Sequence, residues 1–332
     1  MRVSDDLSIT QDIKGVTMYR EKIRVLDCTI RDGGLINNHD FDDRFVRAVY
    51  TGVAKAGVDY IELGYKNSRE LFSSSEYGHW KFCDDDDISR VIDGVDTNIK
   101  VSTMVDVGRV DIDDVRPAAD SPVDMIRVAS YVKDIDKAIF LANHFSDKGY
   151  ETTINIMAIS RDSGPQFEEA LHQIKEDCLA QAVYIVDSFG ALYQETTEDL
   201  IKRAQAILDS KEVGFHGHNN QQLAFSNTIE AIIHDANYLD GTVYGIGRAA
   251  GNCPLELLIG FLKNPKFDIR PILDLISNEF IPLREKIEWG YIIPYAITGM
   301  MNEHPRTAMK LRNSDKKESY RDYYEELLGS MQ

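Results

Sequence analysis

Arg24-Val25-Leu26-Asp27-Cys28-Thr29-Ile30-Arg31-Asp32-Gly33-Gly34 is an apolar run that ends in an arginine, an acid and two glycines. Residues 24–29 read as a buried strand, and Arg31 to Asp40 as the loop after it. From Asp42 to Lys55, residues Phe45, Val46, Val49, Val53 and Ala54 fall on one side at helical spacing. Asp42 suits an N-cap there and Gly57 a stop. The unit repeats. Further apolar runs stand at residues 60–64, 99–106, 125–130, 152–159, 182–190, 213–220 and 238–247, with starts 25 to 39 residues apart. Helical patterns lie between them, most clearly at 134–148, 166–180, 197–209 and 221–234. Eight strands alternating with helices predict a parallel sheet covered by helices. Eight is also the number that closes a (β/α)8 TIM barrel. A doubly wound open sheet is the competing arrangement.

On this reading the chain has an N-terminal extension (1–22), a barrel (23–264) and a C-terminal helical appendage (265–332). Apolar positions in the appendage are Leu273, Leu275, Ile276, Tyr323, Leu327 and Leu328, and its charged end, 313–331, is expected to pack weakly or to meet a partner. The acid run Asp84 to Asp87 reads as a solvated loop. With 332 residues and 43 % hydrophobic content, the chain supports a large core. A net charge of −18 argues against nucleic acid and against anionic membrane surfaces. The four cysteines form no CxxC pair, the first residues do not resemble a signal peptide, and the apolar stretch 291–301 is too short to span a bilayer. A cytoplasmic enzyme is the expectation.

The chemistry is expected at the C-terminal strand ends. The seventh strand carries Phe215-His216-Gly217-His218-Asn219-Asn220. Side chains alternate along a strand, so His216 and His218 face the same way. With Asp32 arriving from the first strand they make a ligand set for a divalent metal with open positions. Two hydrogen-bonded core histidines would be the plainer reading. Arg31 either pairs with Asp27 or Glu62 across the barrel or stabilises an anion beside the metal. Other strand ends offer Glu62, Tyr65, Asp106, Arg127, Ser130, Asn155, Asp187 and Ser188. Asp187-Ser188 might only cap the next helix. Polar groups converging inside apolar strands are costly unless they meet a metal, a ligand or one another.

Thr29-Ile30-Arg31-Asp32-Gly33-Gly34, His216-Gly217-His218-Asn219 and Gly247-Arg248-Ala249-Ala250-Gly251-Asn252-x-Pro-Leu-Glu together resemble the DRE-TIM metallolyase superfamily. The last motif, with Gly290-Tyr291-x-x-x-Tyr295, is most similar to its hydroxy-oxovalerate aldolase branch. The resemblance implies Mn²⁺ or Mg²⁺ on Asp32, His216 and His218, with Asn252 ligating or supporting. It implies Arg31 as enolate stabiliser, Ser188 on the substrate, and Tyr291 near the aldehyde end. That branch carries a histidine directly after Arg-Asp-Gly-x, where this chain has Leu35. His39 is the nearest titratable replacement and the best candidate base by its ordinary pKa.

The expected activity is therefore metal-dependent cleavage, or formation, of a carbon–carbon bond in a 4-hydroxy-2-oxo acid, giving pyruvate or a related 2-oxo acid and an aldehyde. The resemblance also implies a partner aldehyde dehydrogenase, and fold analogy suggests a homodimer. The competing functions are a Claisen-type acyl-CoA lyase or synthase on the same metal and a non-catalytic barrel.

Overall fold

The computed structural model describes residues 20–330. Of the expected N-terminal extension, residues 1–19 lie outside the described residues. Eight strands run in order: β1 (Arg24–Asp27), β2 (Tyr60–Tyr65), β3 (Lys100–Asp106), β4 (Met125–Ser130), β5 (Glu151–Ile156), β6 (Ala182–Asp187), β7 (Glu212–Gly217) and β8 (Tyr238–Gly241). Each pairs in parallel with the next, and β8 closes on β1 from Arg24↔Tyr238 to Asp27↔Gly241. The sheet is a closed eight-stranded barrel, as the spacing of the apolar runs predicts. Leu26, Tyr60, Met125, Ala182, Tyr184 and Tyr238 form a core cluster separate from the larger one that holds the helices against the strands.

The chain between β1 and the next long helix differs from the expected strand-then-loop. It leaves β1 at Asp27 and forms a short helix, α1 (Thr29–Gly33), then a 3-10 turn at Gly34–Ile36. The cause is local. The Asp27 carboxylate accepts the Thr29 N–H at 3.3 Å and its hydroxyl at 2.5 Å, which turns the backbone into a helix. Arg31 and Asp32 therefore point from a helical turn.

Helix α2 (Asp43–Lys55) starts as expected, with the Asp42 side chain accepting the Phe45 N–H at 2.7 Å, and Gly57 follows its end at φ +78°. The acid run does not form a loop. Asp84 precedes α3 (Asp85–Ile92), and Asp85, Asp86 and Asp87 occupy its first turn, where the helix dipole favours negative charge. Asp85 pairs with Lys66 and Asp87 with His79 and Arg90. The barrel continues with α4 (Ile135–Asp147), α5 (Pro165–Asp177), α6 (Gln194–Ile207), α7 (Ala224–Ile233) and α8 (Leu255–Leu262).

Past the barrel come α9 (Arg270–Leu275), a π-helical turn at Ile276–Phe280, α10 (Ile281–Arg284), α11 (Ile293–Met300), α12 (Arg306–Arg312) and α13 (Tyr320–Ser330). These are the C-terminal helices expected beyond the barrel, and they pack back onto it. Tyr295, Ile297, Ala308, Tyr323 and Leu327 pack with Ala249 and Ala250 of the loop after β8. The charged final stretch is thus anchored on the loop that carries the last sequence motif. No helix among the described residues is long and apolar enough to cross a membrane.

Candidate active site

At the C-terminal end of the barrel, α1 and the end of β7 bring Asp32, His216 and His218 together. One ligand atom from each lies within 4.8 Å of the others, and all three residues are buried. His218 stands one residue beyond β7, held by a backbone bridge to Asn252. The two imidazoles meet edge to face, their centroids 5.1 Å apart.

Each member of the group is oriented by a neighbour. His216 Nδ1 lies 2.8 Å from Asp240 Oδ2 of β8. With Nδ1–H donated there, the lone pair sits on Nε2, which has no partner. His218 Nδ1 is also unpartnered and lies 3.9 Å from Asp32 Oδ2. Asp32 Oδ2 accepts from the Arg248 backbone N–H at 3.3 Å and from Asn252 Nδ2, while Asn252 Oδ1 is left bare. A Cβ on Gly247 would collide with Asn252 Nδ2 and Asp32 Oδ2, so only glycine lets the chain pass so close. Two ring nitrogens without partners, His216 Nε2 and His218 Nδ1, beside the Asp32 carboxylate make a donor set of the kind a divalent cation takes, the Arg248 contact to His218 Nε2 at 3.4 Å fixing the second ring. The residues fit a metal.

The charges beneath the site agree. Arg31 donates Nε to Glu62 at 2.7 Å and Nη1 to Asp32 at 2.6 Å. Arg127, over the Tyr184 ring, joins Glu62 at 3.0 Å to Asp240 at 2.7 Å. Three carboxylates, Asp32, Glu62 and Asp240, thus meet the guanidiniums of Arg31 and Arg127, with that of Arg248 at the cavity wall. A dication would add positive charge there and suit an anionic substrate. Burial alone would raise the Asp32 carboxyl, but the Arg31 guanidinium above all holds it well below the usual carboxylate range. Burial keeps His218 neutral at neutral pH. Both are in the form a metal ligand needs. A second cluster, Cys28, His216 and Asp240, fits a metal poorly. Burial pushes the Cys28 thiol far up, and Asp240 already serves His216 and Arg127.

The group forms one wall of a cavity of about 60 Å³, shared with Leu35, Tyr65, Met104, Asn155, Met157 and Ser188. This opens past Leu35, Tyr65 and Met157 into a vestibule of about 630 Å³. Arg31 pairs with Glu62 and also lines the cavity. Ser188 lines the cavity, its Oγ accepting the Ala158 N–H at 2.8 Å. His39 is buried at the vestibule wall, edge to face with Tyr65. Its Nδ1 rests on Gly34, where a Cβ would collide with it, so Nε2 is the nitrogen left for the vestibule. Burial, then Lys81 and Arg31, push His39 down to about 3, so the ring is neutral.

Tyr291 is not brought to the site. It is 63 % exposed in the turn before α11 and lines neither cavity. It precedes the helix, so it misses the buried face that carries Tyr295, whose hydroxyl accepts from Arg312 at 3.0 Å. Sequence reasoning missed Asp240, Lys81 and Arg306, and gave Tyr65 and Arg248 no role. Asp240 sits in an ordinary-looking strand, and the other two come from segments outside the repeat. Arg248, inside a quoted motif, was the findable one.

Fold and site together define an enzyme built on a (β/α)8 barrel, with a two-histidine, one-carboxylate centre at the C-terminal face. More particularly, the chain belongs to the HMGL-like family, whose profile matches residues 22–277, and it is a carbon–carbon lyase. It is similar to a 4-hydroxy-2-oxovalerate aldolase of Thermus thermophilus, 29 % identical over 82 % of this chain and 81 % of that one. A Rhodococcus jostii protein named 4-hydroxy-2-oxovalerate aldolase 3 is 32 % identical over 72 % and 70 %. An oxaloacetate decarboxylase of Mycobacterium tuberculosis is 30 % identical over 74 % and 71 %. Among solved structures, the N-terminal domain of a Bacteroides vulgatus protein superposes with a TM-score of 0.74 at 28 % identity, covering 90 % of this chain and 100 % of that chain.

Proposed function

We propose that the chain is a divalent-metal-dependent aldolase that cleaves a 4-hydroxy-2-oxo acid into pyruvate, or a related 2-oxo acid, and an aldehyde. The observation that carries this reading is the Asp32–His216–His218 group with its bare ring nitrogens, set beside Arg31 in the small cavity. The names of the Thermus and Rhodococcus relatives support it. Mn²⁺ or Mg²⁺ held there supplies Lewis-acid polarisation of the 2-oxo group.

The chain's own residues account for the rest. Arg31 is fixed by Glu62 and Asp32 on one edge, and its remaining terminal nitrogen meets the charge that develops on the 2-oxo oxygen. Burial pushes the Tyr65 phenol up, so it stays protonated and donates a hydrogen bond to the hydroxyl end. His39 Nε2 takes the 4-hydroxyl proton as the C3–C4 bond breaks. C4 becomes the aldehyde carbonyl, and the bonding pair passes to C3. C3 then recovers a proton from His39, so the step consumes none. Leu35, Met104 and Met157 keep water from the carbanionic carbon.

A second reading follows from the base. At about 3, His39 is a weak one, and Leu35 adds none. Decarboxylation of a 2-oxo diacid breaks C3–C4 with no hydroxyl proton to remove, and the Mycobacterium relative bears that name. The test is pyruvate release from a panel of 4-hydroxy-2-oxo acids and from oxaloacetate, with Mn²⁺ or with chelator, measuring aldehyde and CO2 in parallel. Metal-dependent release of pyruvate with aldehyde is expected, abolished in Asp32→Ala and lowered by about 10²–10⁴ in His39→Ala. Release that survives chelation or Asp32→Ala would end the aldolase reading. Release from oxaloacetate alone would move the function to decarboxylation.

A further inference from the structure

The protein carries a net charge of −18, yet the vestibule above the small cavity is basic. Lys81, Arg109, Lys133, Arg248 and Arg306 line it, against Asp106 and Asp134. Arg109 is engaged by Asp106 at 2.8 Å, and Asp134 by Lys137 at 2.7 Å. Lys81, Lys133, Arg248 and Arg306 are left without a carboxylate partner among the described residues.

Lys81 is the telling member. It is buried, and its ammonium lies 5.1, 4.3 and 5.1 Å from the ring centroids of Tyr65, Phe72 and Tyr77. Its ammonium makes no hydrogen bond to protein among the described residues. Aromatic faces attract a cation but do not neutralise it. Asp106 supplies some opposing charge to Lys81 but stays outside ion-pair reach, and a largely buried ammonium held this way suits a ligand that supplies the opposite charge. Three separate segments bring cations to the same space: the stretch between β2 and α3 brings Lys81, the turn after β4 brings Lys133, and α12 brings Arg306. Nothing in the barrel's closure requires this.

From this we infer that the substrate carries a second anionic group, a carboxylate or a phosphate, at the end remote from its 2-oxo acid, and that Lys81, Lys133 and Arg306 receive it. The inference rests on the 2-oxo acid reading for the metal end. It narrows the aldehyde product to one with an acidic terminus, and it gives the helices beyond the barrel, through Arg306, a part in specificity.

The experiment is calorimetric binding to the Mn²⁺-loaded full chain, which needs no turnover. The probes are length-matched pairs: 2-oxoglutarate against 2-oxopentanoate, and 2-oxoadipate against 2-oxohexanoate. A phosphonate in place of the far carboxylate of 2-oxoadipate distinguishes a phosphate-type from a carboxylate-type terminus. At one length the diacid or phosphonate should bind about tenfold tighter than the monoacid. That ratio should fall about threefold or more in Lys81→Gln and in Arg306→Gln, and should shrink with added salt. If Lys81→Gln does not fold, the exposed Arg306 and Lys133 variants carry the test. Equal binding within both pairs, or a ratio that no variant changes, overturns the inference while leaving the aldolase reading standing. A preserved ratio in a protein that cleaves nothing does the reverse. If no 2-oxo acid binds, inorganic phosphate titrated into the wild type and Lys81→Gln decides the anion site alone, and equal affinities overturn it.

Discussion

Asp240 decides which nitrogen of His216 can face a cation. Its carboxylate is held ionised: burial would raise it, but Arg127 and His216 bring it below the ordinary value. It therefore accepts Nδ1–H and leaves Nε2 free. Asp240→Asn keeps the shape but can present its amide N–H to His216, favouring the wrong tautomer. Mn²⁺ affinity should fall about 10- to 100-fold by titration calorimetry. Unchanged affinity would mean that His216 is oriented by packing alone. The grouping of Asp32 with His216 and His218 was legible, because a His-x-His at a strand end and an acid after another strand are patterns with a chemical reason. Asp240 was not legible. It lies in Tyr238-Leu239-Asp240-Gly241, and its partners Arg127 and His216 are distant in sequence. Tyr291 shows the opposite error, since a motif match said nothing about which way a turn residue faces.

Between the strands, the legible features were those with local causes. The Asp42 cap is one: its carboxylate takes an N–H that α2 would otherwise leave bare. Asp42→Ala should cost about 1 kcal/mol in urea unfolding at unchanged m-value. No measurable loss would mean that the start of α2 is held by Phe41 and Phe45, stacked at 5.0 Å, without the cap. The β2 strand was legible only in part. Alternation from Glu62 would turn residue 64 inward, but the register with β3 shifts between Glu62 and Tyr65. The irregularity delivers Tyr65 to the cavity, and no periodicity reveals it. The acid run Asp84–Asp87 was misread for a related reason. Its composition suits solvent, while its position at a helix start gives it a dipole and the partners Lys66, His79 and Arg90.

Across the protein, the eightfold repeat settled the architecture from sequence because each unit repeats the same burial problem. The segments outside the repeat carried what was missed: Lys81 from the stretch after β2, and Arg306 from the helices beyond the barrel. The same burial that builds the site sets an opposed pair of pH responses. His39 sits at about 3 when folded, so between its ordinary value near 6.5 and that value the unfolded chain binds the extra proton. Its contribution to stability is full above pH 6.5 and is lost as pH falls. Burial pushes Asp27 the other way, up to about 7, so between 3.8 and 7 the folded chain holds the extra proton and stability rises as pH falls. Each group can change the slope by at most about 1.4 kcal/mol per pH unit. Melting curves from pH 7 to 4.5 in chelator should therefore separate two variants. His39→Asn should lose stability less steeply on acidification than the wild type, and Asp27→Asn more steeply, by roughly 2 kcal/mol each over the range. Parallel curves would mean that neither group changes its proton affinity on folding, and the neutral imidazole assigned to His39 would go with them.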